Sequence, residues 1–315
     1  MAMIGEVVRI VRDVRTIDRP EIPSEFLGEG PDSLDRHNSS SNLGMLAVIA
    51  DRMYGLLHET DQSDETKKII TDAYAAWMIS VSILDDLIDE SNITTTQKLE
   101  YLQMGQQTLL GEDTHPTVVP DNALAASLSL FAYAGRLIEE SSNGHSQEVL
   151  TPYMTALTEA VARQDYAYDK DAQSEIASIM GGICIAAPII FAEAINGKSY
   201  PQEMSASLAL GTWAQKIDNI RDMGFDFNTG QLTTEVIKLR NGEPNWRIVF
   251  SSLQSARKEF QSATSDLSGP ARDMLYAMAN LMLVQYLLIH PTKTSLKFGK
   301  LTPPLASSLP QQSAL

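Results

Sequence analysis

Two short acidic strings hold most of the chemistry available to this 315-residue sequence. The first, Ser82-Ile-Leu-Asp85-Asp86-Leu-Ile-Asp89-Glu90, closes an apolar run from Ala73 to Leu84. Asp85 and Asp89 are four apart, as are Asp86 and Glu90, so on a helix each pair shares a face. Clustered carboxylates repel one another, and near a helix C-terminus they also oppose the dipole, so local structure gains nothing from them. Mg²⁺ reverses that penalty, because it takes carboxylate oxygens and keeps positions open for phosphate oxygens. The second string, Gln215-Lys216-Ile-Asp218-Asn-Ile-Arg221-Asp222-Met-Gly-Phe-Asp226, sets Asp218, Asp222 and Asp226 along one helical stripe. Lys216 and Arg221 flank that stripe, and with Arg163 they are candidates to grip diphosphate oxygens, a task the Arg fork suits well. The plainer reading of either string is a solvated acidic helix end.

The formal net charge of −16 and pI near 4.7 argue against a nucleic-acid partner. An anionic substrate meets the same repulsion, so acid clusters near a phosphate ligand make sense only with divalent cations between them. The single cysteine, Cys184, lies in an apolar run and reads as packing. The N-terminal stretch reads as a short amphipathic helix rather than a signal peptide, so the expected location is cytoplasmic. Ile176–Ile195 has the length of a membrane span. It contains Gly181, Gly182, Pro188 and Glu193 and lacks cationic flanks, so we read it as a buried core helix, leaving at most peripheral membrane contact.

The elements that must position these residues follow from periodicity. Apolar residues recur at three- and four-residue steps over Leu43–His58, Glu65–Glu90, Thr95–Leu110, Asn122–Ser141, Val149–Tyr168, Ser174–Ile195, Glu203–Met223, Trp246–Leu267 and Pro270–Ile289. Breakers such as Asn143-Gly144, Asn196-Gly197 and Gly242-Glu-Pro244 separate them, and no segment alternates strictly, so the expected fold is all-α. The layout is an N-terminal helix and irregular arm at 1–43, a helical domain at 44–290 and a flexible tail at 291–315. Two acidic helix ends facing each other suggest a cavity with acid at its mouth and hydrocarbon below. Such a site suits an anionic head with a greasy tail. Ionising an allylic diphosphate needs both charge neutralisation on the leaving group and exclusion of water from the carbocation.

QKIDNIRDMGFD resembles the second aspartate motif of the squalene/phytoene synthase family, with Gln215, Arg221, Asp222, Gly224 and Asp226 in matching places. ILDDLIDES resembles the family's first motif, and Arg163-Gln-Asp165-Tyr-Ala-Tyr-Asp169 with the following SEIASIMGGICIAAP resembles its segment leading to the central helix. The resemblance spans about residues 65–290. It implies a class I isoprenoid (terpenoid) synthase helical bundle around a central apolar cavity, with a cluster of roughly three Mg²⁺ ions. Asp85, Asp86 and Asp89 on one side, and Asp218, Asp222 and Asp226 on the other, would be its metal ligands. The implied substrate is farnesyl or geranylgeranyl diphosphate, the implied reaction head-to-head prenyl coupling with release of diphosphate, and the assembly a monomer or homodimer; no NADPH site is evident.

Departures point to an alternative. The Arg that usually precedes the first motif is absent at Ser82-Ile83-Leu84, the central-helix tyrosines are absent from Ile179–Cys184, and Asp218 stands where the family has Asn. The Asp218/Asp222/Asp226 spacing also matches the metal triad of terpene cyclases, in which Gly181-Gly182 would supply a helix break beside the leaving group. Trp77, Tyr166, Phe191 and Trp213 are candidates for a cation-stabilising lining. Chain elongation on isopentenyl diphosphate lacks its usual Arg-Arg pair after the first motif. A third reading is a non-catalytic helical lipid-binding or scaffold protein.

Overall fold

The long apolar periods of the sequence become long helices. In the computed structural model, residues 2–27, 39–58, 62–90, 93–112, 122–142, 144–164 and 166–284 are described, and all regular structure among them is helical. In chain order the helices are α1 (Ala2–Thr16), α2 (Ser24–Leu27), α3 (Ser40–Tyr54), α4 (Asp64–Glu90), α5 (Thr95–Leu109) and α6 (Asn122–Ser141). Then follow α7 (Ser146–Gln164), α8 (Lys170–Asn196), α9 (Pro201–Thr229), α10 (Thr234–Arg240), α11 (Asn245–Ala263) and α12 (Gly269–Val284).

Capping explains where the ends depart from the apolar period. Asp169 accepts hydrogen bonds from the Asp171 and Ala172 amides, which starts α8 at Lys170, four residues before its hydrophobic pattern begins. Thr94 and Gln97 form a reciprocal capping box at the start of α5. Helix α9 begins with Pro201 in its first turn and runs 29 residues to a left-handed Gly230 (φ 89°). It therefore continues past Met223, where the pattern predicts its end, and carries Asp226 within the helix. Helix α10 is too short to show a period and is not among the predicted segments.

Helix α8 is the hub, packed against α3, α4, α6, α7, α9 and α10. By length and composition it could cross a membrane, yet 72% of its most apolar window is buried inside the bundle, which accounts for its hydropathy without a bilayer. The expected helix break at Gly181-Gly182 is not there: α8 is continuous through both glycines and through Pro188. The glycines serve packing instead. A Cβ on Gly211 of α9 would lie 2.0 Å from the Gly181 carbonyl oxygen, and one on Gly181 would lie 2.5 Å from the Gly211 oxygen. The two backbones touch there, and no larger residue fits at either point.

Helices α4 and α6 are locked by a buried reciprocal pair: Ser80 Oγ donates to the Ser127 carbonyl (2.7 Å) and Ser127 Oγ to the Ser80 carbonyl (3.0 Å). Helix α1 docks on α3 and α12 with Ile10 almost fully buried. The tail proposed at 291–315, and residues 28–38 of the proposed arm, lie outside the described residues.

Candidate active site

Both acidic strings open on one cavity of about 500 Å³. Helices α4 and α9 each pack on α8, and the cavity lies between them, closed by α5, α6 and α7. Asp85 and Asp86 line it from α4; Asp218, Asp222 and Asp226 line it from α9, with Arg221 among them. The Asp89 side chain lies outside the described residues, although its backbone is the last turn of α4.

Depth follows from helix geometry. Trp77 is eight residues before Asp85 on α4, which at 1.5 Å per residue is about 12 Å along the axis. Asp85 is exposed whereas Trp77 is fully buried, so the acids mark the mouth and the indole marks the floor. Leu109, Phe131 and Met154, all buried, complete the lower lining. Phe131 lies over Gly105, where an added Cβ would meet its ring at 2.8 Å, so that glycine is what lets the ring sit against α5. Phe191 is fully buried behind Trp77, its ring edge-on at 6.0 Å between centroids, and supports the floor without lining it.

The α9 row is held by its own cation. Arg221 donates through Nε to Asp222 Oδ1 (2.9 Å) and through Nη2 to the other Asp222 oxygen, a bidentate fork, while Nη2 also reaches Asp218 Oδ1 at 2.5 Å. Asp226 is only 5% exposed, an unusual depth for a carboxylate. Behind the row runs a buried polar chain: Gln215 Nε2 donates to Asn219 Oδ1 (3.1 Å), and Asn219 Nδ2 donates to Glu235 Oε2 of α10 (3.3 Å). Among the described residues no three His, Cys, Asp or Glu side chains converge as a ready-made metal cage. The donor chemistry nevertheless fits Mg²⁺, which favours hard oxygen ligands, needs only one or two carboxylates per ion and keeps several waters.

Electrostatics separates the other candidates. Lys216 does not line the cavity; it is buried, donates from Nζ to Ser174 Oγ (3.1 Å), and burial lowers its pKa, partly offset by the pull of Glu235. Arg163 also stands off the cavity, exposed and 3.7 Å from Glu175. Tyr166 is 57% exposed, and Trp213 turns its Nε1 to the Ala279 carbonyl (3.0 Å) on α12. Neither of these rings lines the cavity, and Gly181 and Gly182 face α9 rather than a ligand. Helical spacing alone could not tell these faces apart, because Lys216, Trp213, Gly181 and Gly182 sit on helices buried on more than one side, while Tyr166 lies in the turn between α7 and α8. Cys184 behaves oppositely: read from sequence as packing, it lines the cavity, and burial together with the charge of Asp85 pushes its thiol up to about 12.

No family model matches the sequence. No curated protein matches it either. Solved structures do. A decaprenyl diphosphate synthase from Rhodobacter capsulatus superposes with a TM-score of 0.57 at 16% identity, covering 90% of this chain and 96% of that one. A polyprenyl synthase from Caulobacter crescentus, complexed with calcium and isoprenyl diphosphate, gives 0.55 at 16% identity over 90% and 95%. A geranylgeranyl pyrophosphate synthetase from the archaeon Geoglobus acetivorans gives 0.54 at 14% identity over 90% and 99%. The likeness is one of fold: the chain has the all-α class I isoprenoid synthase fold, shared with isoprenyl diphosphate synthases.

Proposed function

We propose that this chain is a Mg²⁺-dependent isoprenoid synthase that ionises an allylic prenyl diphosphate and forms carbon–carbon bonds with release of diphosphate. The observation that carries the reading is that two acidic helix ends and an apolar floor line the same cavity. Asp85, Asp86 and Asp89 would hold one part of the Mg²⁺ cluster, and Asp218, Asp222 and Asp226 the rest. When bound, the cations supply neutralisation of the leaving diphosphate. Arg221, already within the acid row, would add charge-assisted contacts to diphosphate oxygens. Below the mouth, Trp77, Phe131, Leu109 and Met154 would surround the hydrocarbon and keep water from the cation, with the indole face offering cation–π stabilisation.

The finer reaction we favour is head-to-head coupling of the squalene/phytoene synthase type, supported by the match of Gln215, Arg221, Asp222, Gly224 and Asp226 to that motif. Cyclisation of one prenyl diphosphate is the second reading. It is favoured by a chamber whose volume lies within the range of ordinary single-ligand pockets, about 300–1,000 Å³. Farnesyl or geranylgeranyl diphosphate is the proposed substrate. A cytoplasmic location and a monomeric or homodimeric state complete the proposal.

Incubation with Mg²⁺ and geranyl, farnesyl or geranylgeranyl diphosphate, followed by mass analysis of the organic extract, tests the proposal. A hydrocarbon of doubled carbon number supports coupling, and one of unchanged carbon number supports cyclisation. Consumption only when isopentenyl diphosphate is added makes the chain an elongating enzyme. Absence of turnover with every substrate, alongside binding that survives Asp222→Ala, would make it a lipid-binding or scaffold protein.

A further inference from the structure

Glu235 is a charged-type side chain with no surface to speak of. It sits in the first turn of α10, 0% exposed, with Oε2 accepting from Asn219 and Oε1 without a hydrogen-bond partner among the described residues. An acidic residue in a first turn complements the helix dipole, but an exposed glutamate does that equally well, so the dipole does not explain the burial. Buried Lys216 feels the Glu235 charge, but its Nζ donates to Ser174, so the lysine does not close a hydrogen-bonded ion pair with Glu235. Replacing a buried ionic group by an apolar one of similar volume is often neutral or stabilising. A carboxylate with an open buried oxygen is therefore a feature that stability alone would remove.

Its hydrogen bond with Asn219 leads to the site. Asn219 and Gln215 both line the cavity, one turn apart on α9, interleaved with Asp218 and Asp222. A carboxamide can present either its oxygen or its nitrogen, and nothing in its own shape selects between them. A carboxylate can only accept, so Glu235 compels Asn219 to turn its NH₂ toward α10 and its oxygen toward Gln215. Gln215 must then donate to Asn219, which fixes how its amide faces the mouth. We propose that Glu235 is a positioning residue that orients the Asn219 and Gln215 carboxamides beside the acidic row, so that the diphosphate end of the substrate meets preset polar groups. The inference rests on the isoprenoid synthase reading of this same cavity.

The test compares Glu235→Leu, Glu235→Gln and Asn219→Ala in the full chain. Each is assayed with Mg²⁺ and the prenyl diphosphate that the wild type consumes, by thermal unfolding, and by ¹⁵N NMR of selectively labelled Asn and Gln side-chain amides. Glu235→Leu, which keeps the volume and removes the acceptor, is expected to unfold at the wild-type temperature or higher. It should lose roughly tenfold or more in kcat with a much smaller change in KM, and shift the Asn219 and Gln215 amide resonances together. Glu235→Gln, which keeps an acceptor oxygen but can also present its NH₂, should recover part of the rate. Adding Asn219→Ala to Glu235→Leu should cost nothing further, because both act through one contact. Wild-type turnover in Glu235→Leu, additive losses in the double variant, or a lowered unfolding temperature with unmoved amide resonances would each overturn the inference. Should Glu235→Leu fail to fold, Glu235→Gln and Asn219→Ala decide it: equal rates in those two sink the proposal. A wild type that consumes no prenyl diphosphate removes the enzymatic reading, while the amide resonances still report whether Glu235 orients the two carboxamides.

Discussion

The two acidic helix ends differ more in structure than in sequence. On α4, Asp85 is exposed and Asp86 half-buried, at the end of a helix whose turns from Ala73 to Ser80 are almost entirely core. On α9, Asp226 is buried, Asp218 and Asp222 share the Arg221 fork, and a polar chain through Asn219 reaches Glu235 on another helix. The α9 row carries a cation from its own helix and, through Asn219, a tie to a second one. In a catalytic site such ties preorganise dipoles before charge develops.

Five measurements break or sharpen that contrast. The largest effect is expected from Asp222→Ala and Asp85→Ala, each lowering Mg²⁺-dependent turnover by about 10²–10³. Loss with Asp222→Ala alone would show that the α4 end stands outside the chemistry. Next, Gly211→Ala should destabilise the fold by about 1–3 kcal/mol in denaturant unfolding, since its methyl group overlaps the Gly181 carbonyl, and should disturb the α9 row more than the α4 row. Arg221→Lys keeps the charge but not the fork, and a loss of about tenfold in kcat is expected, with KM for the diphosphate rising alongside.

A smaller effect concerns the cavity-lining thiol of Cys184. Cys184 has its pKa raised from 9.0 to about 12 in the folded chain, so the folded state holds its proton more tightly than the unfolded state. That contribution to stability is complete below pH 9 and is lost as pH climbs toward 12. Cys184→Ala should flatten this alkaline decline, and Asp85→Asn should lower the thiol pKa measured by the pH dependence of alkylation. The smallest effect is expected from Tyr166→Ala, whose exposed ring stands off the cavity: kcat and KM should match wild type within the assay error.

Much of the helical fold was legible because apolar period reports burial directly. Segments such as Asn122–Ser141 coincide with their helices, and Glu65–Glu90 misses its helix by one residue. The ends were less legible, since caps outrank period there: Asp169 starts α8 early, and α9 runs on to Gly230. In the candidate site, the carboxylates and Arg221 could be found because repelling charges at helical spacing have no local benefit. Asn219, Glu235 and Phe131 could not. Asn219 is one amide among many, Glu235 follows Thr233-Thr234 as any capped first turn does, and Phe131 is one apolar residue in an apolar helix.

The chain alone determined where the long helices lie and which of their residues carry anomalous charge, because both depend on neighbours within a turn or two. Only tertiary packing decided which faces share a chamber. Trp77 and Trp213 look alike along the sequence, yet one lines the floor and the other hydrogen-bonds α12. Gly181 and Gly182 read as a break and turned out to be a contact, because backbone approach depends on Gly211, thirty positions away. The physical reason is common to all of these: a helix has several buried faces, and which neighbour each one meets is a property of the assembled bundle.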